Sequence, residues 1–404
     1  MATLFTLQTE WTAQELKARL DREESFFILD VRNREEVQAW RIEGRRPIPT
    51  HNVPYFEILE RGGADDVVES VKAYAQRELA QVLPKDRPIL VVCAKGGTSA
   101  LVAEGLRALG YQAVNLVGGT LAWGNFYEVK TVVEDAALSI YQISRPARGC
   151  LSYVIASGGE AAIVDPLRHT EHYLRLAKEK NLNIRLILDT HAHADHISGG
   201  AGLSKQLGVP YFMHPYDGIH PLDLLPPRVS YQPLWDGQRF GVGTATIETI
   251  HIPGHTLGNV VYLVNGRFLL SGDSIFIESI ARPDLGGRGE AWAPIHYHSL
   301  RKLLSLPDET VILPGHFSSL GEANAEGIFA KSLGELKRQN EGLQMAQRTE
   351  EEEFVRYILS SLPLFPPQYV DIKRVNAGLL IPDEEKASEL ELGKNICALA
   401  QAYK

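Results

Sequence analysis

The sequence predicts an α/β protein in two parts. A small α/β domain with a mostly parallel sheet comes first, then an αββα sandwich with a helical C-terminal extension. Three observations carry this reading. Up to about residue 125, short β-rich runs alternate with helical patterns. From about 138, strands follow one another with turn residues between them and occasional helices outside. After 321 the chain turns helical and charged.

Taken in order, "TAQELKARLDR" (12–22) spaces its apolar residues as one helix face does. "SFFILDV" (25–31) and "RPILVVC" (87–93) are continuous apolar runs rich in branched residues, as strands buried on both faces are. "SALVAEGLRALG" (99–110) is a helix that stops at Gly110. "NFYEVKTVVEDAA" (125–137) loses this rhythm and reads as a linker. The expected organisation is therefore a first domain over 1–126, a linker over 127–137 and a second domain over 138–404. In the second domain, "LSYVIAS" (151–157), "EAAIVDP" (160–166), "ATIETIHIP" (245–253), "GNVVYLVNGRFLLSGD" (258–273) and "TVILPGH" (310–316) are strands. "EHYLRLAKEKNL" (171–182) and "YHSLRKLLSL" (297–306) are helices. Gly and Pro gather at the strand ends, where functional loops usually sit.

Composition excludes several function classes. With 404 residues, 44% apolar and 23% charged, the chain is long enough for two or three domains with their own cores. A formal charge of −9 argues against nucleic acid or an anionic membrane as partner. Three cysteines give no disulfide framework and suit a reducing compartment. The start "MATLFTLQTEWTAQEL" lacks a basic segment followed by an apolar one, so no signal peptide is expected. No apolar run approaches the roughly 20 residues of a membrane span. The expectation is a cytoplasmic protein, with a homo-oligomer compatible with all of this.

Chemistry concentrates at "THAHADH" (190–196), three histidines and an aspartate in six positions. His191 and His193 are two apart, so on a helix they would diverge; an extended or looped segment after the strand "IRLILDT" lets them converge. Asp195 and His196 are expected to open the helix "HISGGAGLSKQLG", where a carboxylate suits the positive terminus. "PGHTLG" brings His255, "SGDSIF" Asp273 and "PGHFSS" His316, each at a strand end beside glycine. Any one of these alone is more often a cap or a satisfied polar residue. Seven together point to a metal site.

This motif set resembles the metallo-β-lactamase superfamily over roughly 138–320. The segment "SIFIESIARPDLGG" (274–287), with Arg282-Pro283-Asp284, resembles the corresponding loop of persulfide dioxygenases, and "EEFVRYILSSLPLFPPQYVDIKRVNAG" resembles their closing helices and Pro-rich tail. That resemblance implies one mononuclear Fe(II) on His191, His255 and Asp273, with positions left open for dioxygen and a persulfide sulfur. His193, Asp195, His196 and His316 would then orient the ligands, or hold a second metal in the superfamily's hydrolases. Glutathione persulfide is the implied substrate. Arg282 and Arg374 are candidates for its carboxylates, an internal ion pair of Arg282 with Asp284 being the alternative.

Cys93 ends the strand "PILVVC", ahead of the loop "AKGGTS" and a helix whose free N–H groups favour a thiolate. Gly96 and Gly97 let backbone amides curl round an anion. "ILDVRNREEVQAWRIEG", "NVPYFEI" and "NLVGGTLAW" resemble the rhodanese domain over about 8–125, in which the matching cysteine carries a persulfide sulfur. The resemblance also implies that Asp30 and Arg32 form a buried structural pair. Rhodanese loops usually carry arginine where this chain has Thr98, which leaves Lys95 as the loop's cation and makes persulfide, not thiosulfate, the expected donor. Cys150 and Cys397 have no motif around them and read as structural.

The leading expectation is a rhodanese-type sulfurtransferase fused to a glutathione-persulfide dioxygenase. It would oxidise persulfide with O2 to sulfite and glutathione, and exchange sulfane sulfur with sulfite and thiosulfate. A dinuclear zinc thioester hydrolase of the hydroxyacylglutathione hydrolase type is the alternative enzyme. A catalytically silent sulfur-trafficking or sensing protein is the alternative from another class.

Overall fold

The computed structural model describes residues 8–400; the first seven residues of the stretch read for a leader, and the last four of the chain, lie outside the described residues. Contacts divide the chain into two compact units, one reaching Phe126 with the short piece Arg145–Ala147, the other Tyr127–Ser144 with everything from Arg148 onward.

The first unit is built on five strands: β1 (Glu10–Trp11), β2 (Phe27–Asp30), β3 (Thr50–Asn52), β4 (Ile89–Val92) and β5 (Ala113–Leu116). Their order is β1-β5-β4-β2-β3, and every pairing is parallel. Ile89, Leu90, Val91 and Val92 are all buried, as a central parallel strand covered by helices requires. The helices Ala13–Asp21 and Gly97–Ala108 form where the apolar spacing places them. A capping box of Thr12 and Glu15 starts the first. Asp30 and Arg32 are both buried and joined by paired hydrogen bonds, one of 2.7 Å, and Arg32 also donates to the Trp40 carbonyl at 2.8 Å.

The second unit packs two sheets face to face. The first contains β6 (Glu128–Glu134), β7 (Ser139–Arg145), β8 (Cys150–Ser157), β9 (Glu160–Val164), β10 (Asn183–Leu188), β11 (Tyr211–Met213) and β12 (Gln232–Pro233), arranged in the reverse of chain order. The second contains β13 (Arg239–Val242), β14 (Ala245–His251), β15 (Val260–Val264), β16 (Phe268–Gly272), β17 (Val311–Pro314) and β18 (Lys331–Ser332), in chain order. The Tyr262 hydroxyl donates to the Asp189 carbonyl and the Tyr153 hydroxyl to the Pro314 carbonyl, bonds that cross from one sheet to the other. Helices Glu171–Glu179 and Gly200–Leu207 cover one outer face through Tyr173, Leu176, Ala177 and Leu203. Helices Gly289–Leu304, Glu341–Arg348 and Glu351–Ser360 cover the other through Leu300, Leu343, Phe354 and Ile358. This is the α/β fold expected, with mixed sheets and a helical C-terminus.

Two expectations need correcting. The stretch read as a linker contains β6, paired antiparallel to β7 at the sheet edge. Its β-branched residues, Thr131, Val132 and Val133, suit a strand. Lys130 and Glu128 supply the charge that edge strands carry, and this weakens the apolar signal. The helix expected from Asp195 starts only at Gly200. Asp195 has other partners, described below.

Candidate functional site

Topology gathers the ligand-type residues at one edge. The β14/β15 and β15/β16 pairings are both antiparallel, so β14 and β16 run the same way, and β17 is parallel to β16. Their C-terminal ends therefore coincide, delivering His255, Asp273 and His316, while β10 of the facing sheet ends just before His191. All four are buried.

Ligand-type atoms of His191, His255 and Asp273 lie within 4.8 Å of one another. Asp273 Oδ2 is 3.8 Å from His191 Nε2 and 3.5 Å from His255 Nε2, and none of these three buried atoms has a hydrogen-bond partner. Metal bonds of about 2.1 Å at tetrahedral or smaller angles would separate ligand atoms by roughly 3–3.5 Å. A modest contraction around a divalent cation satisfies all three atoms at once.

The hydrogen bonds behind these atoms fix which ring nitrogen is free. His255 Nδ1 lies 2.8 Å from the Arg282 carbonyl, which can only accept, so Nδ1 carries the proton and Nε2 the lone pair. The Thr190 hydroxyl lies 2.9 Å from Asp165 Oδ2 and 2.9 Å from His191 Nδ1. Its single proton goes to the carboxylate, so the hydroxyl accepts from His191 Nδ1–H and leaves Nε2 free. Burial, followed by the neighbouring histidines, holds His191 well below its ordinary pKa; burial also lowers His255. Both are neutral, as metal ligands must be.

The remaining histidines each lie beside a carboxylate, although both ring nitrogens of His193 and the Nε2 atoms of His196 and His316 have no hydrogen-bond partner. His316 Nδ1 sits 2.5 Å from Asp273 Oδ1 and its Nε2 2.8 Å from Asp195 Oδ2. Burial opposes a charge on His316, but the two carboxylates outweigh it and raise its pKa well above the usual value. His196 Nδ1 is 3.2 Å from Asp195 Oδ1, and His193 Nε2 is 3.2 Å from Asp165 Oδ1. Asp195, His196 and His316, with Cys150, nevertheless form a second group whose ligand atoms lie within 4.8 Å.

Distant residues hold the loop 190–198 in shape. Asp217 accepts from Ala192 N, Thr256 Oγ1 and Gly258 N at 2.7–2.8 Å, tying the His191 loop to the His255 loop. Asn376 donates to the carbonyls of His193 and His196 at 2.9 Å and accepts from Ser198 N. Arg148 donates to the Asp195 carbonyl, and Glu391 accepts from Ile197 N at 2.8 Å. None of these carries a local sequence signal.

Neither arginine offered for substrate carboxylates is available. Arg282 is wholly buried, pairs with Asp284 through two hydrogen bonds of 2.6 and 2.8 Å, and donates to the carbonyls of Pro363, Leu364 and Ile396. The internal pair is the correct alternative: Arg282 clamps the Pro-rich tail. Arg374 is paired at both ends, with Asp223 at 2.7 and 2.9 Å and with Asp371 at 2.9 Å. Cys150 and Cys397, read as merely structural, sit at the site: ligand atoms of Cys397, Asp195, Asp273 and His316 lie within 4.8 Å.

In the first unit, Cys93 Sγ accepts from Gly96 N at 3.1 Å and Ser99 N at 3.4 Å, at the start of the helix Gly97–Ala108. Ser99 Oγ lies 3.2 Å from the sulfur and 2.7 Å from Asn115 Oδ1. Gly119 (φ +62°) crosses beneath the loop, where a Cβ would come within 2.3 Å of the Cys93 carbonyl. Lys95 is exposed, Thr98 lies in the first helical turn, and the position of a Gly97 Cβ is open space.

Known proteins agree with this architecture. The model of the metallo-beta-lactamase superfamily matches residues 145–316, and that of the rhodanese-like domain matches 12–126. An uncharacterized protein of Mycobacterium leprae, ML0493, is 35% identical over 193 residues, covering 42% of this chain and 87% of the relative. A hydroxyacylglutathione hydrolase of Pelagibacter ubique is 29% identical over 43% of this chain and 70% of its own length. A crystal structure of a metallo-beta-lactamase from Staphylococcus aureus covers 60% of this chain and 72% of that one, at 28% identity and a TM-score of 0.52. The structure of ETHE1 from Myxococcus xanthus covers 62% of this chain and 99% of that one, at 23% identity and a TM-score of 0.47. The chain therefore carries a rhodanese-like domain followed by a metallo-beta-lactamase superfamily domain.

Proposed function

We propose that this chain is a persulfide dioxygenase coupled to a sulfur-carrying rhodanese cysteine. The observation that carries the reading is the split among the ligand-type side chains. His191 and His255 each have Nδ1 fixed by a hydrogen bond and an unpartnered Nε2 within 4.8 Å of an unpartnered Asp273 oxygen, whereas His193, His196 and His316, whose Nε2 atoms are also unpartnered, each lie beside a carboxylate. His191, His255 and Asp273 would hold one Fe(II), and a facial set of two histidines and a carboxylate gives iron the open positions and redox chemistry that dioxygen and a sulfur substrate need.

The balanced reaction converts glutathione persulfide, O2 and water into glutathione, sulfite and two protons. The terminal sulfur gives up four electrons, and dioxygen takes them. Thr190 and the Arg282 carbonyl keep the two rings in the ligating tautomer, and His316 orients Asp273. The resemblance of 274–287 to persulfide dioxygenase loops supports persulfide as the substrate, as does a rhodanese-like domain on the same chain. In that domain Cys93 would take up sulfane sulfur, with the amides of Gly96 and Ser99 holding its anion.

The second metal-capable group and the likeness to a hydroxyacylglutathione hydrolase favour one other reading, a dinuclear zinc thioester hydrolase. Metal analysis of the whole chain, purified without oxygen, separates the two. One iron per chain is expected; two zinc ions per chain would overturn the proposal.

A further inference from the structure

With Arg282 and Arg374 engaged, a further cation borders the candidate centre, Lys373, next to Arg374 in the chain. It lies on the helix Gln368–Asn376, in one stripe with Tyr369 and Asn376 at i−4 and i+3. Both ends of that stripe touch the site. The Tyr369 hydroxyl accepts from Ile396 N at 2.6 Å and lies 4.0 Å from Cys397 Sγ, and Asn376 bonds to the carbonyls of His193 and His196. Lys373 is 5% exposed and has no hydrogen-bond or ion-pair partner among the described residues. Asp217, the carboxylate that acts on it most strongly, already accepts from two backbone amides and the Thr256 hydroxyl. Burial pulls the lysine's pKa down, and Asp217 and Cys397 offset this only in part.

A buried ammonium without a partner is costly, and an anion beside it removes that cost. The depth of Lys373 indicates which anion. Tyr369 and Asn376, on either side of it along the same helix face, reach Cys397 Sγ, which is grouped with Asp273, and the carbonyls of His193 and His196. Lys373 therefore shares the helix face that borders the candidate centre, where the reacting end of a substrate would sit. We infer that Lys373 binds the anionic terminal sulfur of the persulfide and holds it beside the His191–His255–Asp273 centre. This rests on the persulfide reading above.

The test compares Lys373→Met with wild type in the iron-loaded full chain. Calorimetry follows glutathione and S-methylglutathione, which share both carboxylates but differ in having an ionisable sulfur. Loss of a charge-assisted contact should weaken glutathione binding, and raise KM for glutathione persulfide, by about 10- to 100-fold. S-methylglutathione binding, iron content and Tm should not fall, because the variant removes only an unpartnered charge. Equal weakening of both ligands would assign the lysine to a carboxylate and overturn the inference. Unchanged affinities would overturn it too. A drop in Tm or iron would make Lys373 a structural counter-ion of Asp217, also against it. If wild type consumes no oxygen with persulfide, the dioxygenase reading fails by itself, and the two binding titrations still decide the role of Lys373.

Discussion

Replacing Thr190 with valine probes the hydrogen bonds that prepare His191 to bind metal. Valine keeps the shape of threonine, which matters because Gly272 (φ +46°) packs so closely that a Cβ there would lie 2.6 Å from Thr190 Oγ1. Asp165 keeps its bond from Thr190 N at 2.6 Å, so the loop retains its anchor. What disappears is the hydroxyl's own bond to Asp165 and, with it, the acceptor now 2.9 Å from His191 Nδ1–H inside a wholly buried site. An orphaned buried donor costs about 1–3 kcal/mol. The ring can also turn to the other tautomer or swing away, either of which removes Nε2 from the metal. At about 1.4 kcal/mol per tenfold, Fe(II) affinity should fall roughly 10- to 100-fold. Chelator competition under anaerobic conditions measures this, with Thr190→Ser as the control that keeps the hydroxyl and should stay close to wild type. Valine and serine variants of equal affinity would refute the assigned tautomer and with it the role of Thr190.

Cys93→Ser should abolish sulfur transfer from persulfide yet leave iron content and persulfide-dependent oxygen uptake intact, since each unit has its own core; lost uptake with supplied glutathione persulfide would mean that sulfur reaches the iron only through Cys93. Arg282→Met breaks a buried ion pair and three bonds to carbonyls, so chemical denaturation should show a loss of about 3–5 kcal/mol. A normal denaturation midpoint with a raised KM would restore Arg282 as a substrate ligand. Burial pushes the Glu322 carboxyl up to about 7 from 4.5, so the folded state holds its proton more tightly than the unfolded chain and stability falls as pH rises from about 4.5 to 7. Glutamine keeps an oxygen for the amides of Ser318 and Ser319, so Glu322→Gln should be near neutral at about pH 4 and stabilise by about 3 kcal/mol at about pH 8. A parallel pH profile in the two proteins would show that Glu322 does not titrate in this range.

Much of the candidate site is legible in the sequence because its residues follow strands directly. A strand end fixes where a side chain goes, so "THAHADH", "PGH" and "SGD" carry both chemistry and position. The parallel sheet of the first unit is legible for a related reason: strands buried on both faces have no polar alternation to confuse them. What supports the site is not legible. Asn376 reaches across about 180 residues to the His193 and His196 carbonyls, and Arg148 reaches across 243 to the Glu391 carbonyl. Nothing local marks either. Charge gave the wrong arginines, because Arg374 meets Asp223 across 151 residues. Lys373 reads as one more charge on an amphipathic helix until that helix is packed. The edge strand β6 was hidden by the charged residues that protect an edge from further pairing.

Oxygen uptake by the iron-loaded full chain, with glutathione persulfide as the only added reductant, tests the central claim most directly. Uptake should depend on iron and produce one sulfite for each dioxygen consumed. No uptake, together with hydrolysis of a glutathione thioester by the zinc-loaded protein, would contradict the account and make the second metal group the working half of a hydrolase.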